Sequence, residues 1–230
     1  MDTDAAETLA ADRGLLARSG TAERVASILR RRITEGVFLP GTRLSEPALG
    51  AALGVSRNTL REAFQLLAHE RLTVHQLNRG VFVRELTAAD IADLYRTRRA
   101  IECAAIRLAG ELPAADLAAV ARAVADGRGG AAQGNWRDVG TASIHFHQAV
   151  ADLARSERIS GTARQVLAET RLFFVLTEPT SAFFAPFIER HQGILTALES
   201  GDHDGAERLL DVYLREAEVQ LLDAYERRTR

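Results

Sequence analysis

The stretch LGVSRNTLREAFQLLAHE, residues 53–70, places base-reading side chains at the start of a strongly helical run. Arg57, Asn58 and Arg61 follow a Gly-Val-Ser turn and fall on or near the exposed N-terminal face of a helix that is expected to begin at Ser56. An arginine donates two parallel hydrogen bonds to O6 and N7 of guanine, and an asparagine pairs with adenine. These residue types therefore suit a recognition helix that enters the major groove of DNA.

Two hydroxyl side chains belong to the same turn. The Ser56 hydroxyl is expected to cap the N–H group of Asn58 or Thr59, and both Ser56 and Thr59 suit contacts with phosphates. A solvated helix face is the alternative interpretation, because arginines four residues apart are common on helices and Arg61 can pair with Glu62 or another neighbour.

The surrounding elements predict a winged helix-turn-helix in residues 21–84. Thr21 is expected to cap a first helix that Gly36 ends, and Ser45 is expected to cap a short second helix after a Pro-Gly turn. A β-hairpin should follow the recognition helix. Its expected strands are residues 72–75 and 81–84, with Arg79 and Gly80 in the loop between them.

Charge is distributed unevenly along the 230 residues, of which 47% are hydrophobic and 26% charged. Residues 21–84 carry ten arginines against five glutamates, a formal charge of +5, whereas residues 85–230 carry −5. A basic module joined to an acidic one predicts a polyanionic partner for the first module only. Residues 1–20 have mixed charge and are expected to form a flexible N-terminal arm or a weak helix.

Targeting signals and cysteine chemistry are not indicated. The apolar runs are broken well short of the roughly 18–20 residues that a membrane span needs, and the N-terminus lacks the features of a signal peptide. A cytoplasmic protein without membrane contact is expected. The single cysteine, Cys103, cannot form an internal disulfide and is interpreted as a small buried hydrophobe.

Residues 88–226 predict an all-α bundle with short connections. The glycines of DGRGGAAQGN, residues 126–135, are interpreted as a flexible loop between helices. The expected helices are 88–110, 114–127, 136–154, 157–177, 182–200 and 203–226. The predicted fold is therefore mainly α, with an N-terminal winged helix-turn-helix followed by an all-α bundle of about six helices.

A family resemblance is carried by GVFLPGTRLSEPALGAALGVSRNTLREAFQLLAHERLTVHQLNRGVFV, residues 36–83. This segment resembles the DNA-binding domain of GntR-family bacterial transcription regulators. The roles that the resemblance implies are base reading for Arg57, Asn58 and Arg61, and backbone contact for Ser56, Thr59 and, as a phosphate neighbour, Arg43. It also implies that Arg79 and Gly80 place the wing tip at the minor groove. The family usually has glycine where Arg71 stands, which changes the helix-end geometry and adds charge.

The helical half resembles the FCD type of effector domain in the FadR-like branch of that family, through LYRTRRAIECAAIRLA, HFHQAVADLARSERI and RHQGILTALESGDHDGAERLLDVYL. The resemblance implies a small organic-acid effector, often beside a divalent metal held by an acidic residue, a histidine four residues later and two further histidines. His147 and His191 match two of these ligands, but Ser143 stands at the acidic position and Tyr213 at the last histidine. Two imidazoles make an incomplete site for zinc, nickel or manganese.

The same residues allow a second interpretation without metal. His147 and His191 then form hydrogen bonds in a polar pocket with Tyr213 and Ser143, and the pocket takes a carboxylate. Arg98, which matches an arginine of the family pattern, is a candidate to clamp that carboxylate, although a pair with Glu102 four residues on would explain it equally. His145 is rotated by roughly 200° from His147 along the helix and is not a substitute ligand.

The sequence predicts a transcription regulator and not an enzyme. Its expected partners are a palindromic operator in double-stranded DNA, a small carboxylate effector and a second copy of the chain, because two-fold operators need paired half-sites. One alternative is a DNA-binding protein whose bundle only dimerises. The other is an all-α metal-dependent enzyme, but the sequence has no HExxH motif, nucleophile elbow or Gly-rich loop in a phosphate-binding context.

Overall fold

The computed structural model describes residues 20–110, 114–176 and 180–229. The chain divides into two compact units, Met1–Glu85 and Leu86–Arg230. The predicted N-terminal arm lies outside the described residues, apart from Gly20. No helix in the described ranges is long and apolar enough to cross a membrane.

The first unit has the predicted winged helix-turn-helix arrangement. Its described elements are α1 (20–34), β1 (Arg43–Leu44), α2 (Glu46–Leu53), α3 (Arg57–His69), β2 (Thr73–Gln76) and β3 (Gly80–Val83). The sheet is antiparallel with β3 in the centre, between β1 and β2. The core side chains come from every element except α2 and include Leu29, Ile33, Leu44, Leu60, Phe64, Leu67, Thr73 and Val83.

Local capping explains where the second and third helices begin. The Ser45 hydroxyl accepts a hydrogen bond from the Ala48 N–H, and the Ser56 hydroxyl accepts one from the Thr59 N–H, so both predicted caps are confirmed. The prediction for Thr21 is wrong, because α1 already includes residue 20. The expected turn around Pro-Gly also contains β1, whose Leu44 is buried and pairs with Val81.

Arg71 adopts the left-handed backbone conformation, with φ of 56°. It follows Glu70, the C-terminal cap of α3. Glycine adopts this conformation at no steric cost, whereas a side chain with a Cβ is strained there. The departure from the family pattern at Arg71 therefore changes the residue type but keeps the glycine-like backbone.

The second unit is an all-α bundle, as predicted. Its described helices are α4 (Ala88–Leu108), α5 (Ala114–Ala132), α6 (Trp136–Asp152), α7 (Glu157–Phe174), α8 (Ser181–Glu199) and α9 (His203–Thr229). A capping box between Thr87 and Asp90 starts α4. Helix α4 packs against α6, α7 and α9, and it buries charged as well as apolar side chains.

The interpretation of residues 126–135 as a flexible loop is wrong for most of that segment. Helix α5 continues through Gly127, Gly129 and Gly130 to Ala132, and Gly134 then ends the turn with a positive φ of 68°. A Cβ on Gly130 would lie 3.2 Å from a Val139 methyl group. Glycine in α5 therefore allows the start of α6 to approach closely, and the sequence signal for flexibility reflects packing instead.

Candidate functional site

The first turn of α3 presents polar side chains to solvent. Arg57 and Asn58 are exposed and Thr59 is half-buried. The Ser56 and Thr59 hydroxyl oxygens lie 2.9 Å apart, and the Thr59 N–H donates to the Ser56 hydroxyl over 3.2 Å. The opposite face of the helix buries Leu60, Ala63, Phe64 and Leu67, as predicted. Core packing therefore fixes which face of α3 points outward.

Arg61 has a partner that the sequence did not identify. Its Nε–H donates to the Glu46 carboxylate of α2 over 3.1 Å, while the Arg61 side chain stays 65% exposed. Glu46 is 15 residues away in sequence, so neither helical periodicity nor the neighbouring Glu62 pointed to it. An exposed ion pair of this kind contributes only about 0–1 kcal/mol, so Arg61 can exchange its partner at little cost.

The tip of the hairpin brings together the remaining predicted DNA contacts. The Arg43 guanidinium lies against Gly80, where an added Cβ would be 3.4 Å from Arg43 Nε. Gly80 also has a positive φ of 103°. Arg79 is exposed and lies 5.5 Å above the centre of the Phe82 ring. The wing thus holds two arginines beside a glycine that no larger residue can replace without strain.

An open cleft of about 640 Å³ lies beside this sheet within the first unit. Three arginines and one glutamate line it: Arg71, Arg79, Arg84 and Glu85. No sequence pattern places Arg71 and Arg84 together, because their common location depends on how β2 and β3 pair. The cleft extends the positive charge of the wing along its base.

A buried chain of polar groups crosses the second unit. Arg98 Nε donates to Glu102 Oε1 over 2.8 Å, and Glu102 Oε2 lies 2.6 Å from His147 Nδ1. His147 Nε2 lies 3.0 Å from the Tyr213 hydroxyl, and Ser143 acts on the pKa of that hydroxyl as a hydrogen-bonding neighbour. All five side chains are buried. The structure therefore joins four of the predicted effector residues through Glu102, which sequence reasoning treated only as a partner of Arg98.

The charges in this chain determine which atoms carry protons. Burial opposes ionisation of Glu102, but the Arg98 guanidinium holds the pKa of that carboxyl below its ordinary value. Burial lowers the pKa of His147, so its ring is neutral near pH 7. An ionised carboxylate can only accept, so His147 donates from Nδ1 to Glu102 and accepts at Nε2 from the Tyr213 hydroxyl.

His191 completes the cluster from α8 without joining the hydrogen-bonded chain. Its ring stacks on Phe146 with a centroid separation of 4.1 Å and lies 5.4 Å from the His147 ring. Burial, with smaller contributions from His147 and Arg98, lowers the pKa of His191 well below its ordinary value. Within the described residues, His191 Nε2 and Arg98 Nη2 are buried nitrogen atoms without a hydrogen-bond partner.

The predicted metal site does not fit these residues. No group of three or more His, Cys, Asp or Glu side chains in the described ranges can hold a metal ion. Both ring nitrogens of His147 are engaged, and burial raises the pKa of Tyr213, so its phenol is not ionised near pH 7. His147 and His191 therefore lack the further ligands that a zinc, nickel or manganese site requires.

The remaining predictions for the helical half are partly corrected. Arg98 pairs with Glu102 through Nε, so this nitrogen is not available for a two-pronged clamp on a carboxylate, although Nη2 is. His145 is exposed and is no part of the cluster, as predicted. Cys103 is buried, and burial raises the pKa of its thiol to about 12, which leaves it inert as a nucleophile near pH 7.

Comparison with known proteins agrees with both halves of the chain. A GntR transcriptional regulator from Rhodococcus sp. RHA1 has a similar crystal structure, with a TM-score of 0.82 and 49% identity over 89% of this chain and 98% of that chain. The structure of E. coli McbR/YncC shows the same fold, with a TM-score of 0.78 and 21% identity over 89% of this chain and 98% of that one.

A curated relative extends the comparison to a protein of named function. The HTH-type transcriptional repressor RspR of Escherichia coli K12 is 27% identical over 195 residues, which span 84% of this chain and 86% of that protein. Residues 21–83 match the bacterial regulatory proteins of the gntR family, and residues 93–216 match the FCD domain. The chain therefore belongs to the GntR family of transcriptional regulators, and it carries an FCD domain after its winged helix-turn-helix.

Proposed function

We propose that this transcriptional regulator binds a two-fold operator as a homodimer and that a small carboxylate, bound in the helical unit, controls its affinity for DNA. Arg57, Asn58 and Arg61 read base edges in this proposal. Ser56, Thr59, Arg43 and the arginines of the wing hold the phosphate backbone, and Gly80 allows the wing tip to approach the minor groove.

The observation that supports a ligand site is the pair of unpartnered nitrogen atoms in the buried cluster. Buried polar groups in proteins nearly always have hydrogen-bond partners, so Arg98 Nη2 and His191 Nε2 mark a place where a partner is missing. The Arg98 charge contributes to the lowered pKa of His191, which supports a common environment for the two groups. A bundle that served only for dimerisation would have no reason to bury such a pair.

The chemistry of the two groups selects an acceptor as the ligand. A guanidinium only donates hydrogen bonds, and a neutral imidazole can present Nε2 as an N–H donor. A carboxylate accepts from both and gains charge-assisted strength from Arg98. Phe146, stacked on His191, and Phe187, edge-on to Tyr213, provide apolar surface for a modest hydrocarbon body.

An exposed apolar stripe on α9 supports the homodimer. Leu209, Val212 and Val219 are 48–59% exposed and share one face of the helix by their spacing. Two-fold operators require two recognition helices, and burial of this stripe against a second copy would stabilise their pairing. In this account the chain has no catalytic role, in agreement with relatives that are named as transcriptional regulators.

A thermal-shift screen with small carboxylates tests the ligand site. A ligand that binds only the folded state raises thermal stability by about 1.4 kcal/mol for each tenfold increase in concentration above its dissociation constant. His191→Phe should abolish the shift, because it removes one N–H donor but keeps a buried aromatic ring. His145→Phe is the matched control on the exposed face of α6 and should respond like the wild type.

The screen has a clear negative outcome. If no carboxylate stabilises the wild type, the helical unit does not bind this class of ligand and the proposal fails. If His191→Phe retains the full shift while remaining folded, the ligand binds elsewhere in the chain.

A further inference from the structure

The rings of His147, His191 and Tyr213 form a nearly equilateral triangle. Their centroids are 5.4 Å apart for His147 and His191, 5.0 Å for His147 and Tyr213, and 5.2 Å for His191 and Tyr213. Imidazole rings that share a tetrahedral metal, with metal–nitrogen bonds of about 2.1 Å, have centroids roughly 5 Å apart. The triangle thus has the spacing of a three-ring metal site, but one corner carries a phenol.

The Tyr213 hydroxyl takes the lone pair that a metal ion would need. It lies 3.0 Å from His147 Nε2, and its hydrogen-bonding neighbour on the side of the expected acidic ligand is Ser143. Glu102 holds the other nitrogen of His147 over 2.6 Å, the contact by which carboxylates orient metal-bound histidines. Glu102 therefore orients His147 as it would orient a metal-bound histidine. The Nε2 lone pair that would bind the metal, however, accepts a hydrogen bond from Tyr213.

We propose that the Tyr213 hydroxyl takes the place of a metal ion in this centre, so that the site holds a monocarboxylate by hydrogen bonds from the protein alone. This inference rests on the proposed effector site and specifies its chemistry. Arg98 Nη2 and His191 Nε2 provide the donors. A hydroxyl or keto group beside the carboxylate, which would chelate a metal, gains no such bond here.

The charge of the cluster explains the choice of a monocarboxylate. Arg98 is already paired with Glu102, so one bound carboxylate leaves the centre with one net negative charge. Without the two positive charges of a metal ion, each further carboxylate would be buried without a partner, which costs several kcal/mol. One carboxylate can be accommodated by the two unpartnered donors, and a second or third cannot.

Replacing the two substituted ligand positions tests the inference by gain of function. Wild-type protein, Ser143→Asp/Tyr213→His and Ser143→Ala/Tyr213→Phe are each equilibrated with zinc chloride, passed through a desalting column and analysed for zinc. We expect the wild type and the alanine/phenylalanine control to retain no zinc above a buffer blank. The aspartate/histidine variant should retain close to one zinc per chain, because it completes the set with His147 and His191.

Each result decides one part of the inference. Stoichiometric zinc in the wild type overturns the replacement of metal by Tyr213, and this measurement does not depend on the folding of any variant. A folded aspartate/histidine variant without zinc overturns the argument from ring geometry.

Wild-type thermal shifts with propionate and succinate, each with and without EDTA, test the ligand class: a shift that requires metal, or that is larger for succinate, contradicts it. If neither acid gives a shift but zinc binding follows the expected pattern, the metal inference stands and the effector proposal fails.

Discussion

Two arginine–glutamate pairs show how differently the two units use the same chemistry. Arg61 donates to Glu46 over 3.1 Å with its side chain 65% exposed, and Arg98 donates to Glu102 over 2.8 Å with its side chain 3% exposed. The exposed arginine can leave its partner for a DNA base at little cost. The buried arginine cannot leave without stranding a carboxylate in the core. Burial, and not residue type or distance, decides whether such an arginine can change its partner at little cost.

The largest expected difference between the two pairs is in stability. Glu102→Ala should lower the free energy of unfolding by about 3–5 kcal/mol, because it leaves the Arg98 charge and His147 Nδ1–H buried without an acceptor. Glu46→Ala should cost less than about 1 kcal/mol. Urea denaturation of the two variants and the wild type measures both values. Equal losses would show that the Arg98–Glu102 pair is not the buried framework described above.

The next largest effect is on DNA recognition. Arg57→Ala and Arg61→Ala should each cost about 1–3 kcal/mol of affinity for a selected operator and relax the preference at one base position. Thr59→Ala should weaken binding to all sequences alike, because phosphate contacts carry no sequence information. Titrations against matched and scrambled duplexes at one salt concentration separate the two patterns. Unchanged specificity in both arginine variants would contradict the assignment of α3 as the reading helix.

The smallest effect concerns the residue that pairs with Arg61. Glu46→Gln should increase operator affinity by about 0.2–1 kcal/mol, because Arg61 no longer gives up an ion pair to reach the DNA. The matched control is Glu62→Gln, which removes the same charge from a neighbouring position of α3. A gain of equal size in Glu62→Gln would mean that only net charge matters and that the Arg61–Glu46 contact has no specific role.

Local features of the fold could be predicted from the sequence, whereas contacts between distant segments could not. Hydrophobic periodicity and capping residues gave the order and type of the helices, because these signals are local, and the caps at Ser45 and Ser56 are confirmed. The pairing of Arg61 with Glu46, and the position of Glu102 between Arg98 and His147, depend on contacts between distant segments and have no local signal. Gly130 shows the converse, because a residue typical of loops was retained in a helix for close packing.

The buried cluster was recognised as a set of residue types but not as a network. The sequence identified Arg98, Ser143, His147, His191 and Tyr213 as members of one site. Which nitrogen of His147 donates and which accepts, however, follows only from the positions of Glu102 and Tyr213 around it. The distinction between a metal site and a hydrogen-bonded site therefore required the arrangement of side chains across four helices.

Operator affinity measured with and without a saturating carboxylate tests the central claim most directly. The ligand must favour either the DNA-binding or the non-binding state, since equal affinity for both would change nothing. We expect the best carboxylate to change the operator affinity of the wild type and of His145→Phe, and to leave that of His191→Phe at its ligand-free value. A response in His191→Phe equal to that of the wild type, or no response in the wild type to a carboxylate that demonstrably binds it, would contradict control of DNA binding through the buried cluster.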